Sequence, residues 1–373
     1  MLSSPWMASA LQFLTPGVFV TPSVAAALVF ALVTSVLFYQ ARRNYSRIPL
    51  LPRVPPGKTP PDCMVVIPAR DEQGVIAGAV KSFPPDTVIV VDDGSTDKTA
   101  DEAREAGAGV LEAPPLKGAL GKANACMAGA RILTSRWILF ADADTHFQDG
   151  FLDSVVDGAY HSEVFFLSVH LTPRPQSLTE HLIEPYTEAL LFSSSRMQRE
   201  PAFLFEGKCI LVLREAYEFI GGHTAIAKFL AEDFHLAMLA RRHKMGIAVV
   251  RAAGLGNART YAGWKGAWRW IERKTFRFIY LEPGITVKIM LTALSAALWL
   301  PLAAWLWFAG HRIGPFLLAL LVVLQLRPWY GNRLRCLLAP VAVYAAVPFL
   351  LHGLATAFFK KQIVWKGRKV KPA

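Results

Sequence analysis

The 373-residue sequence has only four cysteines, Cys63, Cys126, Cys209 and Cys336. No two lie close enough for a zinc knuckle, and no secreted disulfide framework is apparent. They fit a reduced, cytoplasmic setting as small buried residues. Acid is also short: 28 Asp and Glu stand against 40 Lys and Arg, a net charge of +12. No nucleic-acid motif accompanies that charge. Basic residues instead flank apolar segments, which points to a membrane surface and to no nucleic-acid partner. No basic residue precedes the first apolar run, so a signal-peptide n-region is lacking there.

Apolar residues are plentiful: 53% of the chain is hydrophobic and the mean hydropathy is +0.33. That exceeds the usual soluble range and predicts a membrane protein with a soluble part. Val18–Tyr39 can span a bilayer, which needs about 20 residues; a buried soluble helix is the alternative. Arg42, Arg43, Arg47 and Arg53 follow it. The positive-inside rule then places the next part in the cytoplasm. Pro49–Pro61 reads as a stiff linker. Three regions follow: an anchor and linker over 1–59, a soluble domain over 60–283, and a C-terminal membrane region over 284–373.

In that last region Ile285–Ala309 is a clear membrane segment and Phe316–Leu326 is short for a span. Leu337–Phe359 is broken by Pro340 and Pro348. The tail from Lys360 carries six basic residues and no acid. With the amino terminus outside, four simple spans would leave this tail outside too. One of the runs is therefore expected to be re-entrant or interfacial.

The soluble domain alternates strands and helices. Met64–Pro68 is a short strand followed by Ala69-Arg70-Asp71-Glu72. Thr87–Val91 is another, running into Asp92-Asp93-Gly94-Ser95-Thr96-Asp97. Gly94 permits a sharp turn, and Ser95, Thr96 or Asp97 can cap the next helix. Trp137–Ala141 is a buried strand by its apolar, aromatic run, and Asp142 and Asp144 emerge at its end. Such alternation predicts a parallel, doubly wound α/β sheet, with the acid pairs on one rim, where open α/β sheets bind ligands. Paired carboxylates on a rigid strand end suit a hard divalent cation that also holds a diphosphate. Alone, each pair could equally be a solvated acidic turn.

Leu116–Ala130 sets Lys117 and Lys122 among glycines before a small-residue helix. Lys122 could reach a phosphate, although the segment is not a Walker A loop. Glu206–Glu215 gives a strand entering a helix that stops at Gly221-Gly222, followed by His223. Leu230–Arg242 is a helix with Glu232 and Asp233 at its amino end. That placement favours any helix through its dipole, or holds a general base on a rigid start. In Tyr261–Tyr280, Lys265, Arg269, Arg273 and Arg277 form one helical stripe flanked by Trp264, Trp268, Trp270, Phe276 and Phe278. A basic, aromatic helix of this kind suits the headgroup region of a bilayer, so an interfacial helix is expected near 261–281.

Taken in order, VVIPARDE, VVDDGSTD, ADADT, GKCILVLRE and AEDFHLAMLARRHKMG resemble the family 2 glycosyltransferases of GT-A fold. No single motif is decisive, but the ordered set over about 220 residues is specific. GKCILVLREAYEFIGG before AED is similar to ceramide-glucosyltransferase-like and hopanoid-associated enzymes, and IGGH to bacterial carotenoid glycosyltransferases. These act on lipid-embedded acceptors.

The resemblance implies a Rossmann-like GT-A catalytic domain with an N-terminal transmembrane helix and C-terminal membrane helices. It implies that Ala69, Arg70, Glu72, Asp92 and Asp93 contact the uridine and ribose of a nucleotide sugar. Lys122 and Asp142 would also serve the donor. Asp144, with Asp142, would bind Mg2+ or Mn2+ on the diphosphate, and Asp233 would be the catalytic base. Glu232, His223, Arg269 and Trp270 are candidates for the acceptor or product side. The implied reaction is inverting transfer of a hexose, glucose first, from a UDP-sugar to a lipid hydroxyl at the inner membrane. A polyprenyl-phosphate acceptor is the alternative. A processive polysaccharide synthase and a non-enzymatic membrane scaffold are less favoured. One departure bears on the synthase reading: the (Gln/Arg)-x-x-Arg-Trp motif ends here in Arg269-Trp270, but position 266 is Gly.

Overall fold

The computed structural model describes residues 20–57, 61–116, 120–194, 204–229, 231–281 and 283–356, residue 359, and the backbone of 363–365 and 368–370; for 276–281 it describes backbone alone. Lys117, Leu230, the side chains of Phe276, Arg277 and Phe278, and the basic side chains of the tail therefore lie outside the described residues.

Helix α1 (Pro22–Ser46) starts with Thr21 as its cap and a proline in its first turn, the position where a missing N–H costs nothing. The chain then runs β1 (Cys63–Ala69), α2 (Ile76–Val80), β2 (Val88–Asp92), α3 (Thr99–Glu105), β3 (Gly109–Glu112), α4 (Gly121–Ile132) and β4 (Trp137–Ala141). It continues through β5 (Thr145–Phe147), α5 (Phe151–His161), β6 (Phe166–His170), β7 (Thr172–Pro173), α6 (Leu178–Leu191), β8 (Cys209–Leu213), α7 (Arg214–Phe219) and α8 (Gly222–Ile226). Helix α9 (Glu232–Arg242), β9 (Ile247–Arg251), β10 (Gly256–Ala258) and α10 (Gly263–Leu281) complete the domain.

Seven strands form one sheet in the order β3-β2-β1-β4-β8-β6-β9. It is not wholly parallel, as the alternation predicted. Strand β8 pairs antiparallel with both β4 and β6, while the other neighbours are parallel. The reversal has a consequence for chemistry: the amino end of β8 lies beside the carboxyl end of β4, where Asp142 N–H donates to the Lys208 carbonyl at 3.0 Å.

The inner strands β1, β2, β4, β8 and β6 are apolar and largely buried on both faces, while the edge strands β3 and β9 are more exposed. One face packs under α4, α8 and α9, the other under α2, α3 and α5. Helix α4 carries small residues on its sheet side, and Gly129 lets it sit on Val66 and Val91. The first core extends into the anchor: Ala41 and Ile48 belong to it. The segment after α1 is stitched to the domain. Leu51 N–H donates to Arg251, Arg251 N–H donates to Pro49, and Val54 N–H meets Ser154 Oγ.

Beyond the domain lie α11 (Pro283–Ala297), α12 (Trp299–Phe308), α13 (Gly314–Leu326) and α14 (Ala339–Ala355), then a two-stranded hairpin, β11 (Ile363–Trp365) and β12 (Arg368–Val370). Among the described residues, three helical stretches are long and apolar enough to cross a membrane: Pro22–Ser46, Pro283–Phe308 and Arg335–Ala355. They fit membrane association. A third core joins these helices to α6 and α10. The aromatics of α10 are used there: Trp264 and Trp268 meet Phe349 at 4.4 and 5.1 Å between ring centroids.

Candidate active site

A cavity of about 270 Å3 opens at the carboxyl ends of β1, β2 and β4. The loop after β1 brings Ala69, Arg70 and Glu72 to it. That loop is held from the β2 side. Asp71 takes a left-handed turn at φ 51°. Successive amides of Asp71, Glu72, Gln73 and Gly74 donate to Ser95 Oγ, Thr99 Oγ1, Asp97 Oδ2 and Glu102 Oε2. The polar run after β2 thus clamps the neighbouring loop.

Asp93 lines the cavity, and its carbonyl accepts from Arg70 Nη1 at 2.8 Å. Asp92 is not among the lining residues. Its carboxylate accepts from the amide and hydroxyl of Ser95 and closes the turn. Asp142 and Asp144 follow β4 into the cavity. Asp144 Oδ1 is buried and has no hydrogen-bond partner among the described residues. Burial pushes the Asp144 carboxyl up to about 6, against the pull of Lys208 and with a contribution from the Asp142 charge.

Glu232 and Asp233 reach the same cavity from the first turn of α9. Asp233 is 7% exposed and held on both oxygens: Gly207 N–H donates to Oδ2 at 3.0 Å and Phe234 N–H to Oδ1 at 2.7 Å. Lys122, from α4, joins the two acidic sites. Its ammonium lies 2.6 Å from Asp142 Oδ1 and 3.3 Å from Glu232 Oε1, and donates to the Gly207 carbonyl. Burial works against its charge, but Asp142 and Glu232 outweigh burial and keep Lys122 protonated. Burial likewise raises Glu232, against Lys122.

Trp270 lines the cavity; Arg269 is exposed and does not. His223 is buried outside it. Its backbone N–H donates to Tyr217 Oη, its ring bonds the same oxygen at 2.9 Å, and it packs edge-on to Phe140. Burial, with Lys122 nearby, holds its pKa down to about 3, so His223 is a neutral core residue.

The cavity also has cations to which the sequence alone assigns no role in the site. Lys208 enters because β8 runs backwards beside β4, and its Nζ donates to Thr260 Oγ1 at 3.4 Å. Arg273 and Lys274 reach in from α10. Arg273 belongs to the fourfold basic stripe, whose period was the signal available for it. Phe229, Ala231 and Leu120 supply an apolar stretch of wall beside Asp233 and Lys122.

Asp142 and Asp144 offer oxygen donors of the kind a hard divalent ion takes, although among the described residues no group of three or more His, Cys, Asp or Glu side chains is gathered to hold one. An orphaned, buried Asp144 oxygen beside Asp142 faces a cavity that also holds phosphate-compatible cations.

Residues 64–221 match the model of Glycosyl transferase family 2. This segment is a family 2 glycosyltransferase domain. The chain is 27% identical over 227 residues to a 4,4'-diaponeurosporenoate glycosyltransferase of Staphylococcus haemolyticus, covering 56% of this chain and 60% of that one. It is 30% identical over 189 residues to the protein of that name in Staphylococcus aureus, covering 46% and 49%. It therefore spans about half to three-fifths of the length of the curated relatives it matches. Among solved structures, a mannosyltransferase from Pyrobaculum calidifontis, in complex with GDP-Man and Mn2+, aligns with a TM-score of 0.53 at 18% identity. The alignment covers 90% of this chain and 99% of that chain, and it supports the GT-A fold.

Proposed function

We propose that the transferase moves a hexose, glucose first, from a UDP-sugar to the hydroxyl of a membrane lipid, with inversion at the anomeric carbon. The supporting observation is the meeting of Asp93, Asp142/Asp144 and Glu232/Asp233 in one cavity, with Lys122 between them. The Staphylococcus relatives, named for a carotenoid acid, support a carotenoid-like apolar skeleton in the acceptor. An acid group there would accept as a carboxylate and give an alkali-labile glycosyl ester, so stability of the product to alkali separates it from the proposed hydroxyl acceptor.

Ala69, Arg70, Glu72 and Asp93 would contact the nucleoside. Asp142 and Asp144 would hold Mg2+ or Mn2+, which supplies charge neutralisation on the departing diphosphate. Asp233, fixed by two backbone amides, takes the proton of the acceptor hydroxyl. The hydroxyl oxygen bonds to the anomeric carbon, and the nucleoside diphosphate leaves with the bonding pair. Lys122, Lys208 and Lys274 lower the cost of that leaving charge. Trp270, Phe229 and Leu120 would receive the apolar part of the acceptor.

The contacts of the helices support a topology as well. Thr21, at one end of α1, bonds His311 at 2.9 Å; Gln325 bonds Thr34 and Ser35 midway; Trp329 packs on Tyr45 at the other end. Segment 311–329 thus accompanies α1 along its length. The segment α14 is instead tied to the domain's helices at both ends. Arg335 bonds His181 of α6, and His352 lies 3.3 Å from Glu272 of α10. We read α1, α11–α12 and α13 as crossing, with α14 interfacial. The basic tail then returns to the cytoplasmic side with the catalytic domain.

Membranes carrying the full chain, given a panel of radiolabelled nucleotide sugars, test the reading. The expected product is a labelled, alkali- and mild-acid-stable lipid monoglycoside. Label only in long polymer overturns it. Label in an acid-labile lipid phosphate replaces the acceptor with a polyprenyl phosphate. Asp233→Asn should abolish turnover with UDP binding retained; unchanged turnover removes Asp233 from the role of base.

A further inference from the structure

Glu206 lines the cavity but is controlled from behind it. Its Oε1 lies 3.6 Å from Lys274 Nζ, inside the cavity. Its Oε2 lies 3.3 Å from Nδ1 of His170, the last residue of β6, and His170 Nε2 lies 3.4 Å from Glu188 of α6. His170 is 5% exposed. Tyr45 and Phe192 meet its ring edge-on at 5.9 and 5.4 Å. Trp329 stacks on Phe192. The imidazole is therefore caged by the last turn of α1, the end of α6 and the turn after α13. Arg251, its register partner on β9, is engaged elsewhere, over the Tyr45 ring and on the Ile48 carbonyl.

Carboxylates outnumber cations among the cavity's lining residues, yet the proposed donor is an anion. Every acid there that is not offset weakens its binding. We propose that His170 is a positioning residue for the donor diphosphate: a fixed imidazolium that offsets Glu206 from behind and so lowers the negative charge that the cavity presents to the anion. Burial alone would discharge His170, but Glu206 and Glu188 outweigh it and hold its pKa up to about 10. Glu206 is held well below the usual carboxylate range, because His170 and Lys274 overcome its burial. The inference rests on the nucleotide-sugar reading of the cavity.

The test measures binding of UDP with Mg2+, and of uridine, to the full chain in detergent at neutral pH. His170→Gln should weaken UDP about tenfold and leave uridine within about twofold, because only UDP carries the charge. His170→Gln combined with Glu206→Gln removes charge of both signs and should recover most of the loss. A merely structural role would affect uridine equally and would not be rescued. Wild-type affinity for UDP in His170→Gln overturns the proposal, as does a double variant weaker than the single one. If His170→Gln fails to fold, the double variant against Glu206→Gln alone decides: removing the imidazolium should then cost UDP less than threefold, and a larger loss overturns it. A wild-type chain that binds neither UDP nor GDP with Mg2+ overturns the nucleotide reading itself and His170's role with it.

Discussion

Lys122 and Asp142, on a helix and at a strand end, form an ion pair at 2.6 Å in the centre of the cavity. The same ammonium also serves Glu232 and the Gly207 carbonyl. It thus links the proposed metal end to the helix carrying the proposed base. Lys122→Met should leave two half-buried carboxylates without their partner. The expected cost is about 1–3 kcal/mol of stability, below that of a fully buried pair. UDP affinity should fall at least tenfold. Thermal unfolding in detergent and equilibrium binding check the two effects separately.

Two glycines separate packing from chemistry. A Cβ on Gly129 would come within 2.5 Å of Val66 Cγ1 and 3.0 Å of Val91 Cγ2. Those atoms belong to the sheet and cannot move away cheaply, so Gly129→Ala should cost about 1–3 kcal/mol. UDP binding to the folded protein should be unchanged. A Cβ on Gly207 would meet Lys122 Nζ at 2.8 Å and Glu232 Oε1 at 3.0 Å. These are ends of flexible side chains. Gly207→Ala should fold normally and lose UDP affinity severalfold. The opposite pattern, a fold defect at Gly207 and a binding defect at Gly129, would sink the assignment of cavity and core.

These residues also mark what was legible in sequence. Asp93, Asp142 and Asp144 could be found because an apolar run dictates a strand, and a parallel strand delivers its carboxyl end to a known rim. Lys208 could not. It precedes β8, and in a parallel sheet that end would lie on the far rim; only the reversal beside β4 brings it to Asp142. Asp92 and Asp93 are adjacent and alike in sequence, yet Ser95 claims Asp92 for the turn. The aromatic residues of α10 suggested lipid headgroups; Trp264 and Trp268 also pack on Phe349 and His352 of α14, and Trp264 keeps 49% of its surface exposed. Composition cannot tell an aromatic face turned to lipid from one turned to another helix. The branch from Glu206 through His170 to Glu188 joins three distant segments and leaves no local pattern.

Glu180 should govern acid stability. It is 1% exposed, at the start of α6, and accepts from Arg259 at 2.7 Å, from the amides of Gln176 and Gly263, and from Ser177 Oγ. Burial would raise its pKa, but Arg259 and these donors overcome it and hold the group down to about 2. A depressed carboxyl contributes stability above its unfolded value, near 4.5, and loses it as pH falls toward 2. The shift corresponds to about 3 kcal/mol at neutral pH. Glu180→Gln should lower the melting temperature at pH 7, and the gap to wild type should narrow by roughly half between pH 6 and pH 3. A gap independent of pH would mean that the contribution is packing and not charge.

The orientation of the chain is open to direct test, because the native cysteines are buried and new ones can report side. Ile313 is 71% exposed in the turn before α13, next to the His311 that bonds the start of α1. Asn332 is exposed in the turn after it, close to the Trp329 that packs at the end of α1. If α13 accompanies α1 across the bilayer, these two turns lie on opposite sides. Helix α13 has 13 residues and, with its 3-10 extension to Trp329, rises about 24 Å, somewhat less than the hydrocarbon core. Local thinning accommodates such a deficit at modest cost, and the Gln325 side-chain amide donates to Thr34 and Ser35 across the pair, while its Oε1 has no partner among the described residues. Ile313→Cys should react with an impermeant maleimide on intact cells, and Asn332→Cys only after permeabilisation. Both reacting from outside would put the Asn332 turn across the membrane from the catalytic domain, and the pairing of α13 with α1 could not then describe the chain in its bilayer.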